Sequence, residues 1–236
     1  RFCSKPVPEP YHEHINPWIP LDIPDLPSEI KEQYNAYFQR EYSTKYSEFV
    51  QHFHNTYLST VKCNSCNHAV YNISPMGVID IPLTRDGTRS VNLIESIARF
   101  FSTEPVENYK CDKCNSINTS TISKNLLTNA KTLIIEFKRF IQIGDKIAKH
   151  NVPVVFPPVF DITGCLVDKR KPARYLLTSI IVHASKYVGF GHYYCISRKL
   201  GTDKWFICDD SRIIPASIDH ALQQNGAYLL FYTLQE

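Results

Sequence analysis

The sequence predicts an α+β fold in which helical and strand-forming segments are separated along the chain. Residues 28–57 carry apolar side chains at helical spacing, whereas residues 125–236 contain short apolar runs divided by glycine and charge clusters. Two CxxC pairs lie between these segments and flank a short strand and a helix. Helices followed by closely spaced strands are typical of an α+β protein with an antiparallel sheet.

The composition excludes several classes of protein. With 236 residues and 43% hydrophobic content, the chain can bury a sizeable core, which excludes intrinsic disorder, collagen and coiled coil. Its 26 basic and 23 acidic residues leave a net charge of only +3, so attraction to nucleic acid should be weak. No apolar run approaches the roughly 18 residues of a membrane helix, and no signal peptide is evident. We therefore expect an intracellular protein, in the cytoplasm or nucleus or both, with no nucleic-acid or membrane partner.

The first 27 residues predict an extended, proline-rich arm. Seven of the 15 prolines fall in this segment, and it contains no glycine. Such an arm could dock a partner or act as a passive spacer. Because the sequence begins with Arg1 rather than methionine, we expect it to be a piece of a longer protein.

Residues 28–60 are expected to be helical. Ser28 suits a helix N-cap, and Glu29 suits the positive end of the helix dipole. Aromatic and apolar residues then recur at helical spacing to about Tyr57, which predicts one or two amphipathic helices. Their apolar stripe should face a core, although a binding groove is the alternative.

Residues 61–124 contain a candidate metal site. The pairs Cys63/Cys66 and Cys111/Cys114 have the spacing of tetrahedral zinc ligands, and four thiolates leave no open position for catalysis. The sequence therefore predicts a structural Zn²⁺. Two disulfides or four unrelated thiols are the alternatives, as is a zinc ribbon that binds nucleic acid, for which the basic surface is lacking.

Residues 125–236 should form the sheet and carry a candidate proton-transfer site. Predicted strands span residues 132–140, 152–156, 174–184, 192–198, 205–208 and 227–233. Gly191 precedes His192 at the start of one strand, and Asp209 follows on the next strand if the two form a hairpin. A carboxylate there would orient the imidazole as a general base. A purely structural His–Asp pair is the alternative, and His183 is expected to be a core or sheet-edge histidine.

Together these segments resemble the ubiquitin-specific protease domain, a family of cysteine deubiquitinases. The matching motifs occur in the family's order from about Phe49 to the C-terminus. They are STVKCNSC (59–66), NYKCDKC (108–114), LIIEFKRF (133–140), YLLTSIIVH (175–183), GHY (191–193), WFICDD (205–210) and AYLLFY (227–232).

The resemblance implies a papain-like fold with N-terminal helices, zinc-ribbon fingers that hold ubiquitin, and a β palm that carries the catalytic base. It implies that His192 is the base, that Asp209 orients it, and that Asp210 supports the developing oxyanion. Gly191 and Tyr193 would line the channel for the ubiquitin tail. The implied activity is that of a thiol protease, which hydrolyses the bond at the C-terminal glycine of ubiquitin.

The sequence departs from the family at the nucleophile. The family's N-terminal box, which carries an Asn and the catalytic Cys, has no counterpart here. Cys3 is a poor candidate because no Asn precedes it to supply an oxyanion donor. We therefore expect an incomplete fold whose nucleophile lies outside the chain. A non-catalytic ubiquitin-binding scaffold is the alternative.

Overall fold

The computed structural model describes residues 21–42, 47–83, 90–185 and 191–235. Most of the proline-rich arm, including Cys3, lies outside the described residues. The helices are α1 (Ser28–Tyr42), α2 (Glu48–Phe53), α3 (Leu93–Phe100) and α4 (Ile218–Leu222). The strands are β1 (Asn55–Lys62), β2 (Ala69–Met76), β3 (Val78–Pro82), β4 (Val91–Asn92), β5 (Glu104–Lys110), β6 (Ile117–Thr128), β7 (Thr132–Lys138), β8 (Phe140–Ile143), β9 (Lys146–Lys149), β10 (Val154–Val155), β11 (Val159–Asp161), β12 (Arg174–Ala184), β13 (His192–Arg198), β14 (Trp205–Asp209), β15 (Arg212–Ala216) and β16 (Ala227–Leu234).

The N-terminal helical segment is shorter than the sequence predicts. Helix α1 buries Ile30, Tyr34 and Phe38, which confirms a core-facing stripe. However, α2 ends at Phe53, and the chain continues as β1, so the predicted helix to Tyr57 is wrong. Aromatic residues at helical spacing also suit a strand, and here the pairing of β1 with two neighbours decides the structure.

A four-stranded antiparallel sheet, which we call the finger sheet, has the order β2-β1-β6-β5. Helix α1 packs against it, and their shared core includes Leu58, Ile73 and Leu127. Two hairpins, β1–β2 and β5–β6, meet side by side in this sheet. Each hairpin closes on one of the CxxC segments.

An eight-stranded sheet, which we call the palm sheet, forms the larger core. Its order is β15-β14-β13-β12-β16-β7-β3, and β11 pairs with β12. Apolar residues alternate along the strands, and one face packs against α3 and the segment around β10, which contributes Val154 and Phe156 to the core. The burial pattern of β7 alternates over its whole length because only one face meets the core.

Several elements depart from the predicted arrangement. Strand β3 pairs in parallel with β7, so the palm sheet is mixed rather than purely antiparallel, and β3 does not belong with the fingers. Strand β15 was not predicted, because its side chains are mostly exposed and it contains Pro215. Strands β8 and β9 form a separate hairpin, where a continuous strand to Phe140 was expected. The α+β prediction itself is confirmed.

Among the described helices, none combines the length and the apolar character that spanning a membrane requires.

Candidate active site and metal centre

His192 and Asp209 meet at one end of the palm sheet. His192 begins β13, and Asp209 ends β14. Cys195 lies directly opposite Cys208, so alternation places His192 and Asp209 together on the other face of these two strands. The His192 Nε2 atom forms a hydrogen bond with Asp209 Oδ1, and both side chains are partly exposed.

This hydrogen bond orients the imidazole and favours its charged form. The bond to Asp209 and the charge of that carboxylate raise the pKa of His192 above its ordinary value. With Asp209 ionised, Nε2–H is the donor, which leaves Nδ1 as the atom able to accept a proton. The pair can therefore act as an oriented general base.

Asp210 lies in a tight turn and has a backbone conformation that few residue types adopt readily. Asp209 pairs with Arg212, so Asp210 and Ser211 form the two-residue connection between β14 and β15. Asp210 has a φ of +50°, in the left-handed region that Asp tolerates better than most residues. Ligand atoms of His192, Asp209 and Asp210 lie within 4.8 Å of one another. A cation could approach this group, but the histidine–carboxylate hydrogen bond already accounts for the arrangement.

The two residues expected to contact substrate flank His192. Tyr193 points to the opposite face of β13, is 49% exposed, and packs against the ring of His183 with centroids 4.6 Å apart. Gly191 lies against the same histidine. The absence of a side chain at Gly191 thus has a steric cause within the protein, in addition to any approach of substrate.

None of the three cysteines in or beside the palm sheet is arranged as a nucleophile for His192. Cys195 and Cys208 lie on the face of the sheet away from His192. Burial raises the pKa of Cys195 and of Cys165, which disfavours the reactive thiolate.

The two CxxC segments form matching turns at the ends of the finger hairpins. In the first, the backbone N–H of Cys63 donates to the carbonyl of His68, and that of Asn67 donates to Cys63. In the second, Cys111 and Asn115 form the equivalent bonds at 3.0 Å and 2.8 Å. Asn67 and Asn115 have φ values of +58° and +55°, which asparagine tolerates well.

The four sulfur atoms have the separation that a tetrahedral zinc requires. Sγ of Cys63 lies 3.9 Å from Sγ of Cys114, and Sγ of Cys66 lies 3.7 Å from Sγ of Cys111. Four Zn–S bonds of about 2.3 Å give a tetrahedron with an S···S edge of about 3.8 Å. These distances are far longer than a disulfide bond, so the disulfide alternative does not fit. The cluster could therefore hold a metal ion.

Asn118 connects the two turns and was not predicted from the sequence. Its Nδ2 atom lies 3.3 Å from Cys63 Sγ, 2.8 Å from Ser65 Oγ and 2.9 Å from Ser116 Oγ. Its Oδ1 atom accepts a hydrogen bond from buried Ser120. The Asn118 amide is the main cause that lowers the pKa of Cys63 to about 5. A sequence motif could not reveal it, because the contact forms only when the hairpins pair.

Comparison with known proteins identifies related chains. A family model described as ubiquitin carboxyl-terminal hydrolase matches residues 23–232. The chain is 30% identical over 181 residues to ubiquitin carboxyl-terminal hydrolase 17 of Arabidopsis thaliana, covering 74% of this chain and 24% of that protein. It is 26% identical over 214 residues to ubiquitin carboxyl-terminal hydrolase 5 of Saccharomyces cerevisiae, covering 83% and 26% respectively.

Solved structures with the same fold come from the SAGA DUB module. One, which contains Ubp8, Sgf11, Sus1 and Sgf73 bound to monoubiquitin, matches with a TM-score of 0.72 and 23% identity over 88% of this chain and 46% of that chain. A second, with a shortened Sgf11, matches with a TM-score of 0.73 and 22% identity over 92% and 46%. The chain thus spans about a quarter of the two curated relatives and under half of these structural neighbours.

Proposed function

The chain belongs to the ubiquitin carboxyl-terminal hydrolase family, and we propose that it supplies the catalytic base of a cysteine deubiquitinase. The observation that carries this proposal is the hydrogen bond between His192 and Asp209 at the open end of the palm sheet. The proposed reaction is hydrolysis of the peptide or isopeptide bond at the C-terminal glycine of ubiquitin.

In this mechanism His192 first accepts a proton and later donates it. Nδ1 of His192 removes the proton of a cysteine thiol, and Asp209 stabilises the imidazolium that forms. The thiolate attacks the glycine carbonyl carbon, and the imidazolium then returns its proton to the leaving amine. His192 next deprotonates a water molecule, whose attack on the thioester releases ubiquitin and regenerates the thiol.

The nucleophile in this proposal lies outside residues 1–236. Cys195 and Cys208 are on the wrong face of the sheet, and Cys3 lacks a preceding Asn. The relatives extend well beyond the matched region, so they have room for a segment that carries a catalytic cysteine.

The neighbours of His192 have proposed roles in binding and stabilisation. Asp210 would take the position of the neighbouring carboxylate that, in the family, assists the polar stabilisation of the developing oxyanion, and its ligand atom lies within 4.8 Å of those of His192 and Asp209. Gly191 and Tyr193 would line the channel for the Gly-Gly tail of ubiquitin, because they immediately precede and follow the base at the start of β13.

The four-cysteine cluster would hold a structural Zn²⁺. Cys63, Cys66, Cys111 and Cys114 would close the ends of both finger hairpins onto one ion and keep the finger sheet rigid enough to hold ubiquitin. A site of thiolates also fits a reducing cytoplasmic or nuclear compartment. Ubiquitin is the proposed partner, as it is the bound protein in a structural neighbour.

A ubiquitin-binding scaffold without catalytic activity is the second candidate. The observation that favours it is that, within the described part of the chain, no cysteine is placed as a nucleophile for His192.

A ubiquitin vinyl sulfone probe distinguishes these functions. We expect the full-length protein to form a covalent adduct, with mass spectrometry locating the label on a cysteine outside residues 1–236. Labelling of Cys3 would contradict the proposed location. Tight ubiquitin binding without an adduct would favour the scaffold, and neither binding nor labelling would refute both.

A further inference from the structure

His183 is a buried histidine that lies against the strand carrying the catalytic base. We propose that His183 is a positioning residue: it fixes the backbone at Gly191 and thereby holds the His192 imidazole against Asp209. The significance of this inference for catalysis rests on the proposed function, but the geometry does not.

Gly191 has no space for a side chain. A Cβ atom added there would lie 1.9 Å from Nε2 of His183 and 2.8 Å from both Cδ2 and Cε1. These separations are far below van der Waals contact. The backbone of Gly191 is not in the left-handed region, so its conformation alone does not require glycine. The contact with the His183 ring is therefore the reason that this position excludes a side chain.

The His183 ring is held in place by its neighbours and cannot move aside. Its residue is only 5% exposed, and the ring lies between Tyr193 and Phe140, whose centroids are 4.6 Å and 5.4 Å away. Its backbone is held as well, since its N–H donates to Gly226 at 3.2 Å and its carbonyl accepts from Lys149 Nζ at 2.8 Å. His183 thus forms a fixed wall behind Gly191.

The strand pairing connects His183 to the base. His183 pairs with Tyr193, and Ala184 pairs with His192, across β12 and β13. The contact between His183 and Gly191 therefore lies at the end of this strand pairing, next to His192. Gly191 is covalently joined to His192, and a shift of its backbone moves the imidazole relative to Asp209 on the next strand. Such displacements of a few tenths of an ångström weaken a hydrogen bond.

The His183 ring is neutral in this position. In the described structure, Nδ1 of His183 has no hydrogen-bond partner. Burial, together with the charges of Lys149 and Arg139, lowers the pKa of His183, so the ring is neutral near pH 7. His183 therefore acts through its shape and adds no positive charge behind the base.

A double-mutant cycle tests this inference without ubiquitin and without an activity measurement. The measured quantity is the pKa of His192, followed by NMR in full-length protein with ¹³C-labelled histidine. We expect Gly191→Ala to lower this pKa towards its ordinary value of about 6.5, because the hydrogen bond to Asp209 weakens. His183→Ala should also lower it, and adding Gly191→Ala to His183→Ala should change it no further.

His150→Ala is the matched control, since the Nδ1 atom of His150 is also buried without a hydrogen-bond partner in the described structure. We expect it to leave the pKa of His192 unchanged. The inference is overturned if His183→Ala leaves the pKa of His192 at its original value, or if Gly191→Ala lowers it equally with and without His183. If Gly191→Ala does not fold, the pKa of His192 in the His183→Ala variant still tests the inference, because that substitution adds no atoms to the site. An inactive protein that passes this test would refute the proposed function only.

Discussion

Arg139 should be one of the most sensitive positions in the protein. The residue is completely buried, and its guanidinium donates to four backbone carbonyls. Nε binds Ala227 at 2.7 Å, Nη2 binds Asn225 at 2.7 Å, and Nη1 lies 3.1 Å from the carbonyls of His150 and Val152. One side chain thus ties the end of β7 to two separate loops. We predict that Arg139→Met strongly destabilises the palm.

The magnitude follows from these four hydrogen bonds. Leaving a buried carbonyl without its donor costs about 1 kcal/mol or more, so four carbonyls give about 4 kcal/mol. Removing the buried charge offsets part of this cost, because burial lowers the pKa of Arg139 to about 10 and so disfavours the charged form. Methionine also fills most of the volume. We therefore expect a net loss of about 3 kcal/mol in the free energy of unfolding.

The assay is urea unfolding of zinc-saturated protein, followed by circular dichroism, with the variant compared to wild type. Arg198→Met is the matched control. The Arg198 guanidinium also donates to a backbone carbonyl, that of Thr202 at 2.6 Å, but it is partly exposed and its partners can be rehydrated. We expect this control to lose less than about 1 kcal/mol.

Hydrogen exchange gives a local readout of the same change. Asn225 and Ala227 flank Gly226, whose carbonyl accepts the amide of His183. Loss of Arg139 should therefore speed exchange of the His183 amide more than exchange in the finger sheet. A loss below about 1 kcal/mol for Arg139→Met, or equal losses for both arginine variants, would refute this reasoning.

Three further predictions concern the metal and the base. Cys111→Ser should abolish binding of one zinc per chain and lower the thermal midpoint by roughly 10 °C while the palm strands keep their circular dichroism; retained zinc would count against the site. Asn118→Ala should speed zinc loss to a chelator by about 10-fold or more, whereas Asn64→Ala, which removes a hydrogen bond to the backbone carbonyl of Thr119 and none to a cysteine sulfur, should not; equal rates would exclude a role for Asn118. The base must be neutral to act, and Asp209 raises the pKa of His192, so activity should rise with pH through a value above about 6.5. Asp209→Asn should move this limb of the kcat/KM profile to lower pH and reduce kcat by a factor on the order of 10⁴, and an unmoved limb would contradict the assignment.

Local patterns in the sequence predicted much of the palm. Strand β12 was predicted with its observed bounds, because an eleven-residue run of alternating or continuous apolar residues is typical of a strand in a buried sheet. The His192–Asp209 contact was also accessible, since a hairpin of known register places residues on a shared face. The CxxC spacing likewise indicated the cysteine cluster.

Local sequence patterns could not predict which strands pair with each other. The aromatic residues through Tyr57 satisfy helical spacing, yet β1 is a central strand of the finger sheet because β2 and β6 hydrogen bond to both of its edges. Strand β3 lies between the two cysteine turns in sequence but joins β7 in space. Strand β15 carries exposed Ile213 and Ile214, so no burial pattern marks it.

The residues that support the site were missed for the same reason. Arg139 lies in the motif LIIEFKRF, which by itself indicates only the family resemblance, and its carbonyl partners lie 11 to 88 residues away in the sequence. His183 was expected in the core or at a sheet edge, and it is buried, but its contact with Gly191 depends on the register between β12 and β13. Asn118 likewise reaches Ser65, which is 53 residues distant, only across the paired hairpins.

The most direct test of the central claim is hydrolysis of a fluorogenic ubiquitin C-terminal amide by full-length protein with and without His192→Gln. The account predicts that kcat/KM falls at least about 10³-fold while ubiquitin affinity stays within about twofold, because the substitution removes the base and leaves the finger sheet intact. Retention of kcat/KM within tenfold would contradict the assignment of His192 as the catalytic base.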